Sequence, residues 1–365
     1  MPFSIRKIAT LEGHQGRCWH AEWSPDGNLI ASCGEDRIIR IWKPKENGEW
    51  KEVATSHSHG GTIRRCAWSP DSTRLATCSF DKKTVIHTVE QTEQGVNLTI
   101  QDIIEGHESE VKCVAFSSAD DALIATCGRD RLVYVWSADD LECLTFIHKH
   151  TQDIKCVVFH PTLSRLLVSA SYDDSIIFHR DPVVWNGTSF PSAFDPEAND
   201  QGEWKVVEAH TDHKSTVWDI AFETQSKLEF PMMASASADG TVIIWKKTHI
   251  DLAYAPFQTV SPLDPPSISP SHPSQPHPPP EPSVCLSVCF INPSTLGVPG
   301  FVVATNDGSI TLYTQDEQTG EFMKACFVTA HVPETNSVRH SSIHGSHLVT
   351  TGDDGLVNIW HIDKS

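Results

Sequence analysis

An aspartate followed six residues later by a ring-bearing side chain recurs seven times along the chain, and this recurrence restricts the fold more than any other feature. The pairs are Asp36/Trp42, Asp81/His87, Asp130/Trp136, Asp173/His179, Asp239/Trp245, Asp307/Tyr313 and Asp354/Trp360. His14, His59, His107, His150 and His331 stand 22 or 23 residues before their aspartates, and His213 stands 26 before Asp239. Between them run short apolar or alternating segments such as Ile63–Trp68, Val111–Phe116 and Ile154–Phe159. These read as strands, and Ser24-Pro25-Asp26 and Ser69-Pro70-Asp71 read as the turns that end two of them. A unit of this size cannot bury both faces of its own small sheet. Copies must therefore stack on one another, and the stack must close.

A period near 45 residues, with Gly-His near the start (Gly13-His14, Gly106-His107) and Trp at the end, resembles the WD-repeat β-propellers. The resemblance implies an all-β fold: one seven-bladed propeller over residues 1–365, with the segment Phe3 to Leu11 supplying the outer strand that closes the last blade. It also implies a buried polar chain within a blade. The matching sets are Trp42/Ser32/His14/Asp36, Trp136/Thr126/His107/Asp130, Trp245/Ser235/His213/Asp239 and Trp360/Thr350/His331/Asp354. Blades two and four carry His87 and His179 in place of Trp, and blade six lacks the His and has Val303 at the hydroxyl position. These three blades are expected to lean on apolar packing. Two intervals are longer than the rest by roughly 20 residues. Insertions are expected at 182–203 and at 254–282, the second Pro-rich around Pro278-Pro279-Pro280 and extended.

Charge and composition narrow the function. The 365 residues carry 28 Lys+Arg against 47 Asp+Glu, a net charge of −19, which argues against a broad nucleic-acid or anionic-membrane surface. No apolar run reaches the ~18 residues of a membrane-spanning helix. Met1 to Arg17 has no apolar stretch of the secretory kind, so the expected compartment is the cytosol or the nucleus and the 11 cysteines are expected as thiols. Cys33, Cys78 and Cys127 fall at one repeat position, and Cys113 and Cys156 at another, as small buried residues do. His340, His344 and His347, or His57 and His59, lack a spacing that specifies a metal site. No P-loop, H-E-x-x-H, G-x-S-x-G or dinucleotide fingerprint occurs. No catalysis, metal or cofactor is expected.

The informative residues are those a propeller of this kind turns towards one mouth. Just before the blade aspartates stand Glu35, Phe80, Arg129, Tyr172, Ala238, Asn306 and Asp353. Four residues before the first-strand aromatics stand Trp19, Arg64, Lys112, Lys155 and Trp218. An acidic chain thus gathers Arg64, Lys112, Arg129 and Lys155 beside Trp19, Phe80, Tyr172 and Trp218. Arg and aromatic side chains dominate interface energetics, and Arg grips carboxylates bidentately. A partner-binding face is expected there.

Longer strings are more specific than the repeat. Arg17-Cys18-Trp19 with Glu22-Trp23-Ser24-Pro25, Ala31-Ser32-Cys33-Gly34 before Asp36-Arg37, His150-Thr151-Gln152-Asp153-Ile154-Lys155, Ser169-Ala170-Ser171-Tyr172-Asp173-Asp174 and Ser215-Thr216-Val217-Trp218 are similar to the WD-repeat subunit of the cytosolic iron–sulfur protein assembly machinery. That resemblance implies a non-catalytic adaptor. Its partners would be a small subunit, a large helical-repeat scaffold and a hydrogenase-like assembly factor, and the complex would deliver 4Fe–4S clusters to cytosolic and nuclear apoproteins. The family uses a top-face Arg in the third blade, and Arg129 matches it. A generic interaction platform, such as a ubiquitin-ligase substrate receptor or a chromatin-peptide reader, is the alternative.

Overall fold

The computed structural model describes residues 3–92, 95–117, 122–163, 165–181, 204–224, 230–249, 253–263 and 283–364. They form seven four-stranded antiparallel sheets and a single four-residue helix, Pro293–Leu296. Six sheets take their strands in chain order from the inside outwards. In blade one these are Cys18–Trp23, Ile30–Gly34, Ile39–Pro44 and Trp50–Ser56. The seventh sheet joins Thr335–His340, His347–Gly352 and Val357–Lys364 to Phe3–Leu11, so the N-terminal strand is the outermost strand of the last blade. Inner strands touch those of the next blade all the way round, and Thr335–His340 of blade seven meets Cys18–Trp23 of blade one. The ring is closed, and this is a seven-bladed β-propeller.

Face-to-face stacking explains the composition of the strands. A strand covered on both faces reads as a continuous small or apolar run. Leu123–Gly128, Leu166–Ser171 and Gly300–Thr305 are accordingly buried along their whole length. The outer strands face water on one side and carry the charges, as in Trp50–Ser56 with Lys51 and Glu52.

The turn after the second strand is built seven times in the same way. The residue following each blade aspartate has a positive φ: Arg37, Lys82, Arg131, Asp174, Gly240, Gly308 and Gly355. The aspartate side chain accepts the N–H two residues on, as in Asp130 with Leu132 at 3.2 Å and Asp239 with Thr241 at 2.9 Å. Such an Asx turn substitutes for backbone pairing where the chain reverses.

One boundary differs from the sequence expectation. The stretch from Tyr254 was assigned to the Pro-rich insertion, yet Ala255–Val260 is the outer strand of blade five, and Tyr254 is buried against Phe178 and Phe222. Pro256 hides the strand from a sequence reading, since proline is tolerated in an outer strand and nowhere deeper in a sheet. The remainder of that insertion, 264–282, and the whole of 182–203 lie outside the described residues.

Candidate functional site

The frame that holds the site is polar and buried. In blade one, Trp42 Nε1–H donates to Ser32 Oγ at 2.8 Å, and Ser32 lies 2.8 Å from His14 Nε2. The far imidazole nitrogen, Nδ1, lies 3.0 Å from Asp36. Blade three repeats this with Trp136, Thr126, His107 and Asp130, at 3.0, 2.9 and 2.8 Å. Blade five does so with Trp245, Ser235, His213 and Asp239, at 2.9, 2.7 and 2.9 Å. Blade seven uses Trp360, Thr350, His331 and Asp354, at 2.9, 2.8 and 2.8 Å. One tautomer satisfies every member: the hydroxyl donates to Nε2, and Nδ1–H donates to the carboxylate. Burial alone would raise the pKa of Asp36, but the hydrogen bond from His14 and the N–H groups of Ile38 and Gln15 hold it below its ordinary value.

Blades two and four depart from the apolar packing expected of them. In blade four, His179 takes the tryptophan's place in the chain: its Nε2 lies 2.8 Å from Ser169 Oγ, which lies 2.7 Å from His150 Nε2. In blade two, His59 joins Thr77 and Asp81 at 2.9 and 3.0 Å, while His87 turns to Ser56 and Ser58 at 3.2 and 3.1 Å. In blade four the imidazole N–H supplies the same hydrogen bond as an indole N–H, so the substitution conserves the donor, whereas in blade two it does not. Blade six alone packs as expected, with Tyr313 stacked on Phe301 at 4.9 Å and Val303 fully buried.

The mouth is built on bulges. In every inner strand the pairing register slips at the second residue, between Cys18 and His20, Ile63 and Arg65, Val111 and Cys113, Ile154 and Cys156, Val217 and Asp219, Cys285 and Ser287, and Thr335 and Ser337. The skipped residues are Trp19, Arg64, Lys112, Lys155 and Trp218, together with Leu286 and Asn336. A bulge leaves its extra residue unpaired and re-aims the side chain. Beside it, the residue before each blade aspartate donates its N–H to the segment leading into the inner strand, as in Phe80 to Thr62, Arg129 to Glu110 and Tyr172 to Asp153 at 2.9, 2.9 and 2.8 Å. All eight sequence-selected residues therefore sit on one rim. Leu286 stands four residues before Phe290, the same spacing as in blades one to five, yet the sequence reading stopped at blade five; Asn336 escaped it because His340 stands where the other inner strands carry Trp or Phe.

The cations of this rim lie on its rings. The Arg64 guanidinium is 4.8 Å from the Trp19 ring, Lys112 Nζ is 3.8 Å from Phe80, and Lys155 Nζ is 5.2 Å from both Tyr172 and Trp218. The aromatics are platforms for the cations rather than empty apolar faces. Carboxylates temper three of the four charges. Glu110 is 2.5 Å from Lys112 and 3.4 Å from Arg129, and Asp153 is 3.3 Å from Lys155. Burial holds the Lys155 ammonium below its ordinary pKa, and the charges of Lys112 and Arg64 add to that against the opposing pull of Asp153. These three cations therefore feel one another. Arg129 stands further out, with 60% of its side chain exposed.

Below the rim the ring is crossed by an ionic cluster that sequence reasoning missed. Asp219 of blade five, 2% exposed, accepts Arg339 of blade seven at 2.9 and 3.3 Å, Arg65 of blade two at 3.2 Å and Ser287 of blade six at 2.8 Å. Its carboxyl is held far below the usual range: burial opposes ionisation, but the two guanidinium charges and their hydrogen bonds outweigh it. The signal was present as charges at inner-strand positions where most other blades carry Cys, Ser, Ala or Val, blade one alone adding His20 and Glu22. Cys113 and Cys156 line the same level, and burial pushes the Cys113 thiol up to about 11. Among the described residues, no three His, Cys, Asp or Glu side chains gather as a metal site. His344 and His347 lie edge-on against Trp23 instead. No helix among the described residues is long and apolar enough to cross a membrane.

Fold, repeat chain and rim together define a WD-repeat propeller with one differentiated mouth. The family described as "WD domain, G-beta repeat" matches residues 5–43, 50–87, 98–137, 141–179, 204–246 and 324–361. A "Probable cytosolic iron-sulfur protein assembly protein CIAO1 homolog" of Ixodes scapularis is 32% identical over 66% of this chain and 69% of its own length. A "Probable cytosolic iron-sulfur protein assembly protein 1" of Botryotinia fuckeliana is 26% identical over 98% of this chain and 87% of its own. A "Probable cytosolic Fe-S cluster assembly factor" of Schizosaccharomyces japonicus is 31% identical over 97% of this chain, which spans 53% of that relative. The chain belongs to the WD-repeat family of cytosolic iron–sulfur protein assembly proteins.

Proposed function

We propose that the chain is a non-catalytic adaptor of the cytosolic iron–sulfur targeting complex, helping to deliver 4Fe–4S clusters to cytosolic and nuclear apoproteins. The observation that carries this reading is the rim. A protein of net charge −19 seats Arg64, Lys112 and Lys155 on the aromatics of blades one to five and sets the exposed Arg129 beside them. Such a surface recruits an acidic partner by steering and holds it by charge-assisted hydrogen bonds. The names of the relatives support the setting. Its partners are then a small subunit, a large helical-repeat scaffold, a hydrogenase-like assembly factor and client apoproteins.

The test is affinity capture of the tagged protein from its own cytosol with mass spectrometry, run beside Arg129→Glu. Iron–sulfur assembly subunits and cluster enzymes should be recovered by the wild type. Reversing the Arg129 charge should weaken capture by about 2 kcal/mol or more, a hot-spot loss. Equal recovery by a folded Arg129→Glu protein would remove the rim from the mechanism.

A further inference from the structure

The four cations of the rim are not equivalent. Lys112 and Lys155 each have an acid two residues earlier, Glu110 and Asp153, and Arg129 shares Glu110. At the corresponding place before Arg64 stands Thr62. Among the described residues no carboxylate comes within ion-pair distance of Arg64. The buried carboxylate of Asp219, whose charge reaches Arg64, is committed to Arg65 and Arg339. Arg64 is half-buried, its guanidinium lies over the Trp19 ring, and burial with the neighbouring Arg65 charge holds its pKa below the ordinary value. A guanidinium stacked on a ring keeps its in-plane N–H fork free for a planar anion. A half-buried cation without a counter-charge is the position in the rim where an incoming anion gains most, because it replaces no internal partner.

The rest of the mouth limits where an anion can lie. Glu35, Glu334 and Asp353 stand at blades one and seven, and Arg17 is already paired to Asp353 at 3.2 Å. Acidic groups are repelled there and drawn towards blades two to four.

We infer that Arg64, seated on Trp19, is the anchor for a carboxylate of an acidic peptide segment of the partner, with Lys112, Arg129 and Lys155 supplying the surrounding field. This rests on the rim being the partner face.

The test uses acetylated, amidated tetraglutamate as the probe on the full chain. Tetraglutamine amide is the uncharged control, and tetraglutamine with a free C-terminus presents a terminal carboxylate alone. The readout is the Trp19 indole N–H resonance, assigned through Trp19→Phe. A carboxylate-bearing peptide should shift that resonance where the uncharged control does not. Response to the free-terminus peptide marks a terminal carboxylate as a source, and response to tetraglutamate alone marks side-chain carboxylates. Arg64→Gln should weaken the effect about tenfold or more, Arg64→Lys less, and Arg129→Gln about threefold or less. No shift with either carboxylate peptide, an equal shift with the control, or full retention in Arg64→Gln would overturn the inference. Capture of assembly proteins separates the two readings. Capture by wild type that persists in Arg64→Gln overturns the anchor and leaves the adaptor. Tetraglutamate binding without capture leaves the anchor and overturns the adaptor.

Discussion

Arg339 and Asp219 meet across the centre of the ring through two hydrogen bonds, Nη1 to Oδ2 at 2.9 Å and Nη2 to Oδ1 at 3.3 Å, joining blade seven to blade five. Arg65 adds blade two at 3.2 Å, and Ser287 adds blade six. Arg65 also reaches Cys156 of blade four at 3.5 Å, so the cluster links blades that the stacking of neighbouring sheets does not bring into contact. Removing the carboxylate charge strands two guanidinium groups in a desolvated space, so Asp219→Asn should cost on the order of 3 kcal/mol or more. Urea denaturation checks this, and an unchanged midpoint would show that the cluster contributes nothing to closure.

Two imidazoles make the fold sensitive to mild acid. Burial pushes the pKa of His87 down to about 4 and that of His179 down to about 3. Unfolded histidine titrates near ~6.5. Because the folded value is the lower one, the unfolded chain binds more protons below pH ~6.5, and stability falls as pH falls. The contribution is complete above about pH 6.5 and declines through the window down to the folded values, by up to about 1.4 kcal/mol per pH unit for each group. His179→Trp, which puts the non-titrating indole donor of blades one, three, five and seven in its place, should flatten the dependence of the urea midpoint between pH 7 and pH 4.5. An identical slope would exclude His179 as a source.

Turn residues should respond to glycine according to blade. Arg37, Lys82, Arg131 and Asp174 hold left-handed φ values of 63°, 74°, 70° and 66°, where blades five to seven place glycine. A left-handed conformation costs an L-residue about 1 kcal/mol, and glycine is free of it at the expense of unfolded-state entropy. Arg131→Gly should therefore raise stability slightly, by about 0.5 kcal/mol. A calorimetric Tm below that of the wild type would show that the Arg131 side chain makes a compensating contact.

The repeat made much of this legible before any coordinates. Seven aspartates at a fixed interval from a ring-bearing residue mark the tight turn and the third strand of each sheet. The resemblance to WD-repeat propellers that this spacing carries implies the His-hydroxyl-Trp chain, and it implies that the residues before the blade aspartates and before the first-strand aromatics share one rim. What escaped depends on approach between distant parts of the chain. Arg65, Asp219 and Arg339 are more than a hundred residues apart and meet only because the ring closes. The spacing shows that Arg64, Lys112 and Lys155 share a face. It does not show that three of the rim cations already have carboxylates while Arg64 does not. Ala255–Val260 was hidden by Pro256, whose proline chemistry resembles the insertion that follows it.

The account's central claim is that the basic rim serves cluster delivery. Cells depleted of the protein and labelled with radioactive iron provide the most direct measurement: iron recovered with an immunoprecipitated cytosolic 4Fe–4S enzyme. Reintroduced wild type should restore the label. Arg129→Glu, expressed to the same level, should restore only a small part of it, because the side chain is 60% exposed and the substitution reverses charge without entering the core. Full restoration by Arg129→Glu would contradict the role of the rim, and an undiminished label on depletion would contradict the adaptor itself.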